Sequence, residues 1–136
     1  MNTLTTLARR HNVELNEHLI ADAEVPVLTG VQRQGDVLVV PTRKGAETGS
    51  PVPPEGVAVV RGENGGNTHL LVADGAVTWR AVRPQRGSLA LGVVTVEGGA
   101  TAYLAHPEHG FMGIGAGTYR ISRQREQADE IRVVAD

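Results

Sequence analysis

The chain has 136 residues, a net charge of −2 at pH 7 and no cysteine. This length suits one domain, and the lack of cysteine excludes disulfides and thiolate chemistry. The weak acidic balance argues against a nucleic-acid partner, because phosphate contacts need an excess of basic charge. No apolar run reaches the roughly 20 residues of a membrane span, and residues 1–10 lack the apolar centre of a secretion signal. We therefore predict a cytoplasmic protein.

Residues 1–24 are predicted to form a short N-terminal helical arm. Apolar residues and one histidine recur there at steps of three and four, which places them on one helical face: Leu4, Leu7, Ala8, His11, Leu15 and Leu19. Asn2 or Thr3 suits the start of the helix, and Asn12 or Asn16 suits an interruption. Two roles stay open for the arm. It covers one end of the remaining domain, or it mediates self-association or binding to a protein partner.

Residues 25–136 are predicted to form a β domain. Seventeen glycines and seven prolines indicate many turns, and 3% aromatic residues leave the core to Val, Leu, Ile and Ala. Apolar residues alternate in several short segments, and the pairs Asp74-Gly75 and Gly98-Gly99 have the composition of two-residue hairpin turns. The fold class expected is mainly β, a small antiparallel barrel or sandwich with the helical arm.

Three histidines suggest a metal site. His69 follows a glycine-rich loop, and His106 and His109 lie on a turn at the end of another predicted strand. If the two strands are neighbours, the imidazoles converge, with Glu63 or Glu108 completing the site. Imidazole and carboxylate are ligands for one divalent transition metal such as Zn, Mn, Fe or Ni. The alternative is that these histidines are solvated side chains of two loops that do not meet.

No catalytic residue is predicted. The glycine-rich segment 113–117 precedes a β pattern and not the helix that a nucleotide-binding loop needs, and no serine lies in a nucleophile elbow. Arg120, Arg123 and Arg125 are candidates for binding an anion. The acidic residues that follow them, Glu126, Asp129 and Glu130, favour intramolecular salt bridges as the other use of these arginines.

Four stretches together resemble a family of small, largely uncharacterised bacterial and phage proteins. They are RQGDVLVVP at 33–41, the segment from Gly62-Glu63 to His69, HPEH at 106–109, and GTY at 117–119 leading to RQRE at 123–126. The paired histidines of that family imply a metal site, and its phage members imply a virion protein in place of a cytoplasmic one if a phage encodes this chain. Asn67 stands where the first of them is expected, which implies a degenerate site, and Gln127 replaces an expected tyrosine.

The function predicted is a non-enzymatic β-barrel binding or adaptor module with a degenerate histidine-based metal site. Two other functions are compatible with the sequence. The chain is a structural subunit of a homo-oligomeric assembly, such as a phage capsid or tail component, or it is a cupin-like metal-dependent enzyme. The cupin pattern requires His-x-His, and Asn67-Thr68-His69 breaks that pair.

Overall fold

The computed structural model describes residues 2–15, 24–43, 49–61, 68–83 and 86–124. The described part of the chain contains one helix and eleven strands. They are α1 (Leu4–His11), β1 (Val27–Leu28), β2 (Gln32–Gln34), β3 (Val37–Pro41), β4 (Ser50–Pro51), β5 (Val57–Val60), β6 (His69–Asp74), β7 (Val77–Ala81), β8 (Ala90–Val96), β9 (Thr101–His106), β10 (Gly110–Ile114) and β11 (Gly117–Arg123). Over these residues, no helix is both long and apolar enough to cross a membrane.

The strands form two sheets that pack against each other. The five-stranded sheet has the order β1-β10-β9-β6-β5, and the six-stranded sheet has the order β2-β3-β11-β8-β7-β4. Neighbours are antiparallel except for the parallel pair of β1 and β10. Inward side chains from both sheets build the core, among them Val37, Val39, Leu71, Val94, Leu104 and Ile121. The expected mainly β fold is confirmed as a sandwich, and its described strands do not close into a barrel.

Both predicted hairpins are wrong. The turn at Asp74-Gly75 joins β6 to β7, and the turn at Gly98-Gly99 joins β8 to β9; each pair of strands lies in different sheets. The two turns pack together, since a Cβ added to Gly75 would lie 2.8 Å from the Cβ of Ala100. Alternation along a strand shows which side chains are buried. It does not show whether the next strand pairs in the same sheet or crosses to the other one.

Helix α1 covers the outer face of the five-stranded sheet. The Thr3 side chain accepts a hydrogen bond from the Thr6 backbone N–H at 3.2 Å, and Asn12 ends the helix in the left-handed conformation with φ of 55°. Leu4 and Leu7 are buried against a second apolar cluster that includes Val72, Tyr103, Ala105 and Phe111. The helix therefore covers a sheet face. The alternative in which it covers one end of the domain is wrong.

Candidate functional site

Three histidines meet at one end of the sandwich. His69 begins β6 and His106 ends β9, and the pairing of Leu70 with Ala105 makes these two histidines neighbours in adjacent strands. Their ring centroids are 4.4 Å apart. His109, on the turn before β10, has its centroid 4.5 Å from that of His106 and 6.3 Å from that of His69. We call these three side chains the histidine cluster.

The cluster has a buried part and an exposed part. His69 and His106 are each 3% exposed, and strand alternation turns them toward the same interior as Leu71 and Leu104. His109 is exposed. The cluster therefore reaches from the end of the sandwich core to the surface.

Gln34 holds His69 in one tautomer. Its side-chain amide nitrogen donates to the Leu104 carbonyl at 2.8 Å and to the Gly110 carbonyl at 3.3 Å, which identifies the other amide atom as the oxygen. That oxygen, Oε1, lies 2.9 Å from His69 Nδ1 and can only accept. In neutral His69 the ring proton is therefore on Nδ1, and Nε2 carries a lone pair.

Asp36 faces that lone pair. It lies in the turn between β2 and β3, and its Oδ1 is 3.6 Å from His69 Nε2, which is longer than a hydrogen bond. Its other oxygen, Oδ2, accepts a hydrogen bond from Arg123 Nε at 2.9 Å. Gly35 makes this tight turn possible, because it has φ of 58° and a Cβ there would lie 3.0 Å from His109 Nε2.

His69 stays neutral well below pH 7. Burial, and then the neighbouring His106, lower the pKa of the His69 imidazole from 6.5 to about 4, with Asp36 acting in the opposite direction. A buried, neutral imidazole next to a carboxylate offers a cation two ligand atoms, the imidazole nitrogen and a carboxylate oxygen.

His106 has the opposite tautomer. Its Nδ1 accepts hydrogen bonds from the backbone N–H groups of Glu108 at 3.0 Å and of His109 at 3.2 Å. The neutral ring therefore carries its proton on Nε2. These two bonds also fix the turn that presents His109 to solvent.

The other predicted site residues lie in different places. Glu108 is exposed on the turn of the histidine cluster. Arg123 contacts Asp36, whereas Arg120 is exposed on the outer face of the six-stranded sheet, between the buried Tyr119 and Ile121. Glu63 and Arg125 lie outside the described residues. Within the described ranges, no three His, Asp or Glu side chains are already arranged to hold one ion.

Gln34 and Asp36 are the site residues that the sequence interpretation missed. They flank Gly35 in a stretch used only as a turn and a family signature. Both neighbours of Arg33 are glutamines, so polarity does not indicate that Gln34 is 4% exposed and faces inward. The only available signal was the short Gly35-Asp36 turn, which places a carboxylate at the end of two strands.

The family model described as "Domain of unknown function (DUF8820)" matches residues 33–124, which is more than half of the chain. The chain belongs to the DUF8820 family. The DUF8820 segment contains Gln34, Asp36, the histidine cluster and Arg123, and it leaves out α1. No match was found among curated proteins or among solved structures.

Proposed function

We propose that this DUF8820 domain is a binding module that holds one divalent transition-metal ion at the histidine cluster. The proposed ligands are His69 Nε2, the Asp36 carboxylate and His109. The observation that carries the proposal is the pair of His69 Nε2 and Asp36 Oδ1, 3.6 Å apart. Both atoms are electron-rich when His69 is neutral, and a cation between them would relieve their repulsion.

The distances suit a shared ion after small movements. Two atoms that each bind zinc at about 2.0–2.1 Å in tetrahedral geometry are about 3.4 Å apart, close to the 3.6 Å between Nε2 and Oδ1. His109 is exposed, and its ring lies beside His106 and Gly35 and not inside the core. Rotation of its side chain would complete a site that is not preformed.

The hydrogen bonds at Nδ1 of each ring favour His69 over His106 as a ligand. A metal-bound histidine usually donates its other ring N–H to a protein acceptor, and Gln34 is placed to accept from His69 Nδ1. His106 instead receives two backbone hydrogen bonds at Nδ1, which suits a supporting role in shaping the turn. The prediction that His106 or Glu108 is itself a ligand stays a prediction.

The test uses protein prepared without a histidine tag and stripped with a chelator. Calorimetry with Zn²⁺ and absorption spectroscopy with Co²⁺ should show one bound ion per chain, and Asp36→Asn or His109→Ala should weaken binding about tenfold or more. Glu97→Gln is the matched control. It makes the same charge change, but Glu97 is exposed and follows β8 at the opposite end of the sandwich.

Two results would overturn this assignment. One is a parent protein that binds no more Zn²⁺ than a denatured sample. The other is Asp36→Asn binding as tightly as Glu97→Gln. A loss of affinity in Glu108→Gln but not in Asp36→Asn would move the carboxylate ligand to the other side of the cluster. Circular dichroism of each variant separates lost binding from lost folding.

A further inference from the structure

Arg123 lies directly beside the proposed ion site. Its side chain is 57% exposed, and its Nε donates to Asp36 Oδ2 at 2.9 Å. A guanidinium has five N–H donors, and the one on Nε is bonded to Asp36. Among the residues that the structure describes, the two Nη groups have no hydrogen-bond partner.

The same carboxylate joins Arg123 to the proposed ion. Asp36 presents Oδ2 to the guanidinium and Oδ1 to His69 Nε2. An ion bound at Oδ1 would therefore lie next to the guanidinium group of Arg123. This is the side of the sandwich that is open to solvent at His109. The ion and the guanidinium would be adjacent and face the same opening.

The charges around the opening do not cancel when an ion is bound. Among the described residues, a divalent ion and Arg123 contribute three positive charges, Asp36 and the exposed Glu108 of the turn contribute two negative charges, and the imidazoles, counted as neutral, contribute none. The excess of one positive charge favours an anionic ligand. Three protein ligands also leave a tetrahedral ion with one open position.

We propose that the bound ion and Arg123 together hold a small oxyanion, a carboxylate or phosphate group. This inference rests on the proposed metal-binding function. One oxygen of the anion would occupy the open position on the ion, and a second oxygen would accept hydrogen bonds from the Nη groups of Arg123. The planar guanidinium matches the paired oxygens of either group. The rest of the ligand would extend into solvent past His109.

The experiment titrates inorganic phosphate, and separately acetate, into protein loaded with one equivalent of Co²⁺. Binding at the ion should change the Co²⁺ absorption spectrum. Arg123→Gln should lower phosphate affinity about tenfold or more, because it removes charged hydrogen bonds, while Co²⁺ affinity changes far less. Arg123→Lys keeps the charge but not the fork, so it should recover only part of the affinity.

Arg120→Gln is the matched control. Arg120 lies three residues earlier in β11, on the outer face of the sheet, so its loss should leave phosphate affinity unchanged. The inference is wrong if Arg123→Gln and Arg120→Gln bind phosphate equally, or if phosphate binds the metal-free protein as tightly as the loaded one. A parent protein that takes up no Co²⁺ would instead contradict the proposed function itself.

Discussion

Acid should destabilise this domain through His69. The imidazole is buried and neutral in the folded protein, with a pKa lowered to about 4, whereas an unfolded histidine titrates near 6.5. Between these two values, the unfolded chain takes up a proton that the folded chain rejects. The contribution of His69 is therefore fully present above pH 6.5 and is lost as the pH falls toward 4.

The pKa difference sets the magnitude. One pKa unit corresponds to about 1.4 kcal/mol, so the lowering from 6.5 to about 4 corresponds to about 3 kcal/mol in total. About 2 kcal/mol of this should be lost by pH 5. That is a large part of the free energy of unfolding of a small domain.

Urea unfolding of the metal-free protein at several pH values between 7 and 4.5 measures this effect. His69→Gln removes the titrating group, so its free energy of unfolding should fall less steeply with pH than that of the parent. The difference in slope should approach about 1 kcal/mol per pH unit near pH 5.5. Comparing the two slopes cancels the contributions of histidines that both proteins share.

Two outcomes would refute this reasoning. Parallel plots of unfolding free energy against pH for the parent and His69→Gln would show that the imidazole is not held neutral by the fold. An NMR titration of the His69 ring in the parent protein with a midpoint near 6.5 would show the same, even if the variant failed to fold.

Three further substitutions test the packing of the domain. For each, the free energy of unfolding is measured with urea and compared with that of the parent. Gln34→Leu should cost about 1–3 kcal/mol, because the Leu104 carbonyl loses its donor; no loss would contradict the buried amide network. Leu7→Ala should cost about 3 kcal/mol, since Leu7 is 0% exposed, and a cost below about 1 kcal/mol would argue against the docking of α1. Gly35→Ala should cost about 1–2 kcal/mol because of its positive φ; the control Gly98→Ala has open space around it and should be nearly neutral.

Local sequence patterns were sufficient to predict individual helices and strands. The steps of three and four from Leu4 predicted a helix, and α1 begins and ends at one of the two candidates proposed for each end, Thr3 and Asn12. In β11, Tyr119 and Ile121 are buried and Arg120 is exposed, as alternation predicts. These features depend on backbone geometry and on which side of one element is apolar. Both are set by residues that are close together in the sequence.

The site depended on contacts between distant segments. His69 and Gln34 are 35 residues apart and meet because β2 and β6 belong to different sheets whose ends coincide. The sequence marked His69, His106 and His109 as candidates through residue type alone, and it could not choose between a cluster and separate loops.

The sequence by itself determined the class of fold, the position of the helix along the chain and the histidines of interest. Only the tertiary structure decided which strands cross between sheets, that Asp36 and Gln34 face His69, and which nitrogen of each ring bears its proton. The physical reason is that hydrophobic alternation shows which face of one strand is buried. It does not show which other strand pairs with it. Tautomers and pKa shifts are set by atoms that folding brings within a few ångströms from remote parts of the chain.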